Sequence, residues 1–240
     1  MIFAAETIWI YTGTLEENVF HRHFALQLTL SAGNPFTVDF EGESTEAKAL
    51  LVRNNVPHRL NAENEIANIL INPLSTPGHH FLSEMENRSW MVYESDPVKN
   101  ISGLLQDLQN HKIPTSAFAE KTTSILKEFR CRCTPFHHGD ERIDRAVLYM
   151  EEHFLEVIPA EELASVCSLS TDRFLHLFKE KTGITFQRFQ IWNKLLQAGR
   201  CILSGKNLTD SAHEAGFADS AHFTRSFKET FGELPKKILQ

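Results

Sequence analysis

Cysteines and long apolar runs are both scarce in this chain. Four cysteines in 240 residues are too few for the disulfide framework of a small secreted protein. No uninterrupted apolar stretch approaches the roughly 18 residues that a transmembrane helix needs. The first residues, 1–7, lack the basic region and apolar core of a signal peptide. The sequence therefore predicts a cytoplasmic protein.

The chain also lacks an excess of basic residues. Lysine and arginine number 24 against 31 aspartates and glutamates, which gives a formal net charge of −7. A nucleic-acid-binding domain usually carries a basic footprint, so the overall charge argues mildly against such a partner. The hydrophobic fraction of 42% and the charged fraction of 23% are ordinary for a globular protein, and the length allows two domains.

The most informative pattern is a motif, Phe-x3-Phe-Lys-Glu-x2-Gly, that occurs twice near the end of the chain. The copies consist of Phe174, Phe178, Lys179, Glu180 and Gly183, and of Phe223, Phe227, Lys228, Glu229 and Gly232. In each copy the phenylalanines are four residues apart and share one helix face, and the glycine stands where a left-handed C-cap is common. A repeated motif predicts a repeated structural unit.

Each copy follows a short helical segment and a turn, with a small residue, Ala164 or Ala212, at the equivalent place. This arrangement is typical of a helix-turn-helix. The second copy carries one extra residue, in the turn or at the helix start. Between the copies, residues 186–203 have helical apolar spacing and predict a linker helix about 30 Å long. Successive major grooves on one side of B-DNA are about 34 Å apart. Two recognition helices joined by this linker could therefore enter adjacent grooves.

Residues from about 140 to 239 resemble the DNA-binding domain of the AraC family of transcription regulators. The stretch from Gly216 to Lys228, with Gly232 and Pro235, is similar to the family motif Gly-Phe-x3-Ser-His-Phe-x-Arg-x-Phe-Lys-x3-Gly followed by Pro, with Ala221 where the family often has Ser or Gln. The resemblance implies an α+β multidomain protein. It would have a small cupin-like β-barrel with two helices, then an all-α domain with two helix-turn-helix units on a linker helix.

The resemblance also implies which residues contact bases. The positions are Asp172, Leu175 and His176 in the first unit, and Ser220, Ala221, Thr224 and Arg225 in the second. Arg225 could pair with guanine, and Ala221 could touch a thymine methyl. Asp172 and Leu175 offer poorer base chemistry. We therefore expect the second unit to discriminate bases at least as well as the first.

The phosphate contacts implied by the resemblance come from Arg173, Lys179, Arg188, Lys194 and Lys228. Outside the duplicated frame these would be ordinary solvated charges. The four phenylalanines of the motif are core residues under any interpretation, so they support the fold alone.

The first part of the chain has a strand-like pattern. Short β-rich or alternating runs occupy residues 7–11, 26–30, 36–40, 49–52 and 66–71, and turn-forming residues separate them, which predicts a small sandwich or barrel. Two amphipathic stripes follow between residues 101 and 129, as helices that cover the barrel or form a dimer interface. We expect a sensing and dimerisation domain at 1–133, a linker at 134–139 and a DNA-binding domain at 140–240.

Three histidines in the first domain, His21, His23 and His58, allow a metal site or an effector pocket. A cupin-type metal site would have a glutamate after His23, and residues 24–27 have none. We therefore expect pocket histidines without a metal, and no cofactor. Cys131 and Cys133, with the histidines at 137 and 138, have zinc-type ligand chemistry, but a plain linker is the simpler interpretation.

Together these features predict a sequence-specific, DNA-binding transcription regulator that is not an enzyme. We expect a homodimer whose barrel binds an unidentified small-molecule effector or a partner, with RNA polymerase as a possible further contact. One alternative is a metal-dependent cupin enzyme with an accessory DNA-binding domain. Another is an effector-free regulator whose barrel only dimerises or docks a protein.

Overall fold

The structure is a computed structural model that describes residues 2–4, 8–16, 18–131, 133, 138–153 and 156–239. The chain forms two compact units. The first unit holds Met1–Arg130 together with Phe227–Gln240, and the second holds Cys131–Ser226.

The first unit contains a nearly closed antiparallel β-barrel, as the sequence predicts. Its strands are β1 (Ile2–Ala4), β2 (Ile8–Leu15), β3 (Leu26–Ser31), β4 (Phe36–Phe40), β5 (Glu43–Ala47), β6 (Ala49–Val52), β7 (His58–Ile71) and β8 (Trp90–Val92). The strand order is β1-β2-β7-β3-β6-β8, and β4 pairs with β5 and β7. The long strand β7 closes the structure because its second half pairs with β2 and β3 and its first half pairs with β4.

Alternation along the strands separates two apolar cores. Leu26, Leu28 and Leu30 of β3 face the helices, whereas the residues between them, Gln27 and Thr29, point to the other side of the sheet. On that inner side, a second cluster joins β4, β6 and β7. The barrel interior thus receives polar side chains from β3, although β3 is buried along its whole length.

Three helices cover the outer face of the sheet: α1 (Thr76–Met85), α2 (Asp96–Gln109) and α3 (Thr115–Lys127). The two predicted stripes form α2 and α3. Their residues Ile101, Leu105, Phe118 and Leu126 are fully buried in one cluster with the strands. These stripe residues therefore already have partners within the chain.

The helical part of the chain matches the predicted double helix-turn-helix. It contains α4 (Glu141–Glu152), α5 (Ala160–Val166), α6 (Thr171–Thr182), α7 (Phe186–Leu203), α8 (Leu208–Glu214), α9 (Ser220–Phe231) and α10 (Pro235–Leu239). The α5–α6 pair and the α8–α9 pair are the first and second helix-turn-helix units, and α7 is the linker helix. The extra residue of the second copy lies in its turn, which spans residues 215–219 against 167–170 in the first.

Candidate DNA interface and barrel cavity

Helix α6 presents the predicted base-contacting residues of the first unit to solvent. Ser170 caps its N-terminus by accepting a hydrogen bond from the Arg173 amide. Phe174 and Phe178 are fully buried and pack against Phe186 of α7, with ring centroids 5.5 and 5.6 Å away. This packing turns the opposite face outward, and that face carries the exposed residues Asp172, Leu175 and His176 with Arg173 and Lys179.

Helix α9 repeats this arrangement. Phe223 and Phe227 are fully buried, while Ala221, Arg225 and Lys228 are exposed and Ser220 and Thr224 are partly exposed. The Thr224 hydroxyl donates to the Ser220 carbonyl at 2.7 Å, so toward a base it can act only as an acceptor. Arg225 therefore has the strongest donor chemistry for base recognition on this face.

Lys194 has a structural contact that its sequence position does not reveal. Its Nζ donates to the Gly216 carbonyl at 2.9 Å, just beyond the C-terminus of α8. A cation there satisfies an orphan carbonyl and complements the helix dipole. Lys194 thus ties α7 to the second helix-turn-helix unit, and only its remaining N–H groups could reach a phosphate.

The barrel contains a cavity of about 500 Å³, including its open mouth. Its polar lining consists of Tyr11, Asn18, His21, His23, Gln27 and Asn68. Its apolar lining consists of Trp9, Ile10, Leu15, Leu60 and Leu70, with Phe227, Phe231 and Ile238 from the C-terminal segment. Two predicted pocket residues, His21 and His23, line the cavity. The third, His58, lies behind them, with its ring centroid 4.4 Å from that of His21.

Two buried polar atoms of the cavity lining have no hydrogen-bond partner: Nε1 of Trp9, a donor, and Oδ1 of Asn18, an acceptor. Burying such an atom without a partner costs about 1–3 kcal/mol. Both residues line the cavity, so these two atoms are candidate hydrogen-bond partners for a bound molecule. Sequence reasoning missed both residues, because their signal depends on which strands pair.

The C-terminal segment, residues 227–239, forms one wall of the cavity. The Asn18 amide donates to the Phe231 carbonyl at 3.0 Å, and the Val19 amide donates to the Gly232 carbonyl at 3.1 Å. The rings of Trp9 and Phe231 stack with centroids 6.2 Å apart. The end of α9 and the barrel are consequently held together by specific contacts.

The histidines of the barrel are neutral at physiological pH. Burial, together with the neighbouring His23, lowers the pKa of His21 to about 3. Burial also lowers the pKa of His23 and of His58. Since protonation would place charge in a desolvated site, these rings act there as neutral donors, acceptors or ligands.

The cysteine and histidine pairs before α4 show a different arrangement. Cys131 and Cys133 are half-buried thiols, and burial raises the pKa of the Cys133 thiol. His138 Nδ1 lies 2.7 Å from the Asp144 carboxylate, which ties it to α4. The other histidine, at 137, lies outside the described residues.

A family model described as a helix-turn-helix domain matches residues 163–240. The chain is 25% identical over 169 residues to the HTH-type transcriptional activator RhaS of Enterobacter sp. (strain 638), which covers 70% of this chain and 61% of the relative. It is 34% identical over 104 residues to RhaS of Klebsiella pneumoniae (strain 342), covering 43% of this chain and 37% of the relative. The chain thus spans less than two thirds of the length of these curated relatives.

Structures of ToxT from Vibrio cholerae show the same fold over almost the whole chain. ToxT of strain O395 has a TM-score of 0.58 at 10% identity and covers 98% of both chains. A structure of wild-type ToxT of strain SCE256 bound to an unsaturated fatty acid has a TM-score of 0.58 at 12% identity, covering 100% of this chain and 97% of that one. At such identities the likeness concerns the fold alone.

Among the described residues, no helix is long and apolar enough to cross a membrane. The duplicated helix-turn-helix units, the match to the helix-turn-helix model, the similarity to RhaS and the shared fold all agree with the resemblance read from the motif. Residues 163–240 are therefore a helix-turn-helix domain, and the chain is similar to HTH-type transcriptional activators.

Proposed function

We propose that this protein is a sequence-specific, DNA-binding transcription regulator whose DNA-binding part is residues 140–240. One observation carries the proposal: both copies of the duplicated motif bury their phenylalanines and expose the positions that the family uses for DNA contact. The relatives are named transcriptional activators, which favours a regulator over an enzyme. A homodimer and a contact with RNA polymerase are further parts of the proposal.

DNA affinity should fall steeply with salt. Neutralising about four or five phosphates releases about as many counterions, so log affinity should fall with log salt with a slope of about −4. Fluorescence anisotropy with labelled duplex DNA measures this slope. Lys179 is exposed on α6, and Lys179→Gln should make the slope shallower by about one. The matched control is Lys121→Gln, which changes an exposed lysine of α3 and should leave the slope unchanged. A flat salt response would remove DNA from the proposed function.

The cavity supports control by a small-molecule effector. Its wall combines apolar side chains with the unpartnered Trp9 N–H and Asn18 oxygen, which fits an amphipathic molecule with an oxygen acceptor and a donor. The same cavity is lined by Phe227 and Phe231 of α9. An effector there would contact the end of the second recognition helix, so its binding energy could shift the population of DNA-competent conformations.

Ligand binding should raise the melting temperature of the protein by mass action. We would first test an unsaturated fatty acid, because ToxT with the same fold binds one, and then hydroxylated aromatic acids. Trp9→Phe removes the unpartnered N–H but keeps most of the ring, so it should weaken an oxygen-bearing ligand by about five- to tenfold. The matched control is Trp90→Phe, because the Trp90 N–H bonds Glu43 away from the cavity lining. Equal affinities in both variants would place the ligand elsewhere.

A further inference from the structure

Three buried histidines meet at the inner end of the cavity. His21 and His58 face each other across an isolated antiparallel bridge, in which each backbone N–H donates to the other residue's carbonyl at 3.0 and 2.9 Å. His23 lies two residues after His21. One ring nitrogen of each histidine lies within 4.8 Å of the ring nitrogens of the other two.

Backbone carbonyls fix the proton on each of these rings. Nδ1 of His21 lies 2.9 Å from the Val19 carbonyl, and Nδ1 of His23 lies 2.8 Å from that of Ala25. Nδ1 of His58 lies 2.8 Å from the Val56 carbonyl. A carbonyl can only accept, so a neutral ring in this position carries its proton on Nδ1 and leaves a lone pair on Nε2.

Gln27 adds a fourth acceptor to the cluster. Its Oε1 lies 3.1 Å from Nε2 of His23 and 3.1 Å from Nε2 of His58, while its amide nitrogen donates to Thr29 at 3.1 Å. With the rings of His23 and His58 both protonated on Nδ1, neither Nε2 has a hydrogen to donate to the Gln27 oxygen. Lone pairs that converge in this way repel one another unless a cation lies between them.

We propose that Nε2 of His21, His23 and His58 bind a divalent transition-metal ion of the zinc class, with the Gln27 amide oxygen at its side. Imidazole nitrogens suit zinc, nickel, copper and iron. A metal-bound histidine commonly donates its other N–H to a backbone carbonyl, as all three do here. Tetrahedral ligands with bonds of about 2.0–2.1 Å are about 3.3 Å apart. This is close to the 3.1 Å that separates the Gln27 oxygen from Nε2 of His23 and from Nε2 of His58.

The site would be open on one side. His21, His23 and Gln27 line the cavity, so a further coordination position would face it, where an oxygen or nitrogen of a small molecule could bind. Sequence alone favours histidines without a metal, because the expected glutamate is missing. The structure shows that Gln27 brings an oxygen to the cluster in its place. This inference goes beyond the proposed function and does not depend on it.

The competing arrangement is a rotated Gln27 amide, whose NH₂ group would donate to both ring nitrogens and hold them without a metal. Two experiments on the full-length protein separate these arrangements. The protein is purified without a histidine tag and stripped with a chelator. It is then titrated with Co²⁺, followed by visible absorption, and with Zn²⁺, followed by calorimetry.

We expect one equivalent of metal per chain. His21→Gln and His58→Gln should weaken binding by about 100-fold or more, and far-UV circular dichroism shows whether each variant is folded. Exposed His111→Gln is the matched histidine control. Cys131→Ser with Cys133→Ser removes the ligands of a second candidate cluster, which these cysteines form with His79, and should keep the equivalent bound by the three histidines. No binding by folded wild-type protein, or binding lost only in the cysteine variant, would overturn the proposal.

Gln27→Glu separates the two arrangements when Zn²⁺ binding is compared between the wild type and this variant. Beside a metal, the added negative charge should tighten Zn²⁺ binding by about tenfold or more, and Zn²⁺ should raise the melting temperature of this variant more than that of the wild type. In the rotated-amide arrangement the wild type would bind no Zn²⁺, and only the variant, whose carboxylate adds a charged ligand to the three histidines, would bind it. The second outcome would contradict the proposed site even if a histidine variant failed to fold.

Discussion

Gly232→Ala should destabilise the protein far more than Gly183→Ala, although the two glycines occupy the same place in the duplicated motif. Both have a φ of 72°, where alanine costs about 1–2 kcal/mol. At Gly183 an added Cβ meets open space. At Gly232 it would lie 2.5 Å from His21 Nδ1 and 2.7 Å from the Asn18 amide atoms.

Neither of these neighbours can move freely. His21 Nδ1 lies 2.9 Å from the Val19 carbonyl, and the Asn18 amide donates to Phe231. Overpacking in such a place costs about a further 1–3 kcal/mol, so we expect about 2–5 kcal/mol in total for Gly232→Ala.

Urea unfolding and amide hydrogen exchange measure these effects. The Val19 amide, which donates to Gly232, should exchange faster in Gly232→Ala and remain unchanged in Gly183→Ala. Equal costs for the two substitutions, with Val19 protected in both, would show that the C-terminal segment does not rest on the barrel in solution.

The helices of the proposed DNA-binding part were predictable because their signals are local. Residues 186–203 have continuous apolar periodicity and Thr185 as an N-cap, so the linker helix has the predicted bounds. Helix α1 was missed because it is short and begins with proline and glycine, and only its tertiary contacts bury Phe81 and Met85. The first half of β7 was also missed. Its exposed residues, such as Asn61 and Glu63, make the segment look like a loop.

The cavity could not be predicted because it depends on strand register. Trp9 of β2 and Gln27 of β3 both lie opposite Leu70 of β7, and Thr29 lies opposite Asn68. No local pattern shows that residues about 40 to 60 positions apart share one face of the sheet. The only available signal was the polar pair Gln27 and Thr29 between buried leucines.

The role of Lys194 was likewise hidden from the sequence. Its sequence position implies a phosphate contact. Its ammonium, however, bonds the Gly216 carbonyl, and that contact exists only after α7 and α8 have packed. Lys194→Ala should therefore reduce the stability of the second helix-turn-helix unit as well as the DNA affinity of the protein. This substitution is for that reason a poor control for the loss of a phosphate contact alone.

Arg225→Ala should weaken binding to the specific operator by about 1–3 kcal/mol, or roughly 5- to 150-fold, and relax the preference at one base position. Arg225 is exposed on α9, whose buried Phe223 and Phe227 fix the opposite face. Its guanidinium can donate two parallel hydrogen bonds to guanine O6 and N7. Affinity selection from random duplexes gives the operator, and anisotropy on specific and random DNA gives the two free energies.

His176→Ala is the matched control, because His176 holds the equivalent position on α6, two residues after the first phenylalanine of its motif. A histidine lacks the bidentate fork, so its loss should cost less and change the base preference less. Lys228→Ala, which removes an exposed charge from α9 itself, should weaken specific and random DNA alike and make the salt slope shallower by about one. If Arg225→Ala behaved like Lys228→Ala, Arg225 would be a phosphate contact. Base discrimination would then have to come from α6, whose Asp172 could accept only from a cytosine amine and whose Leu175 offers only apolar contact.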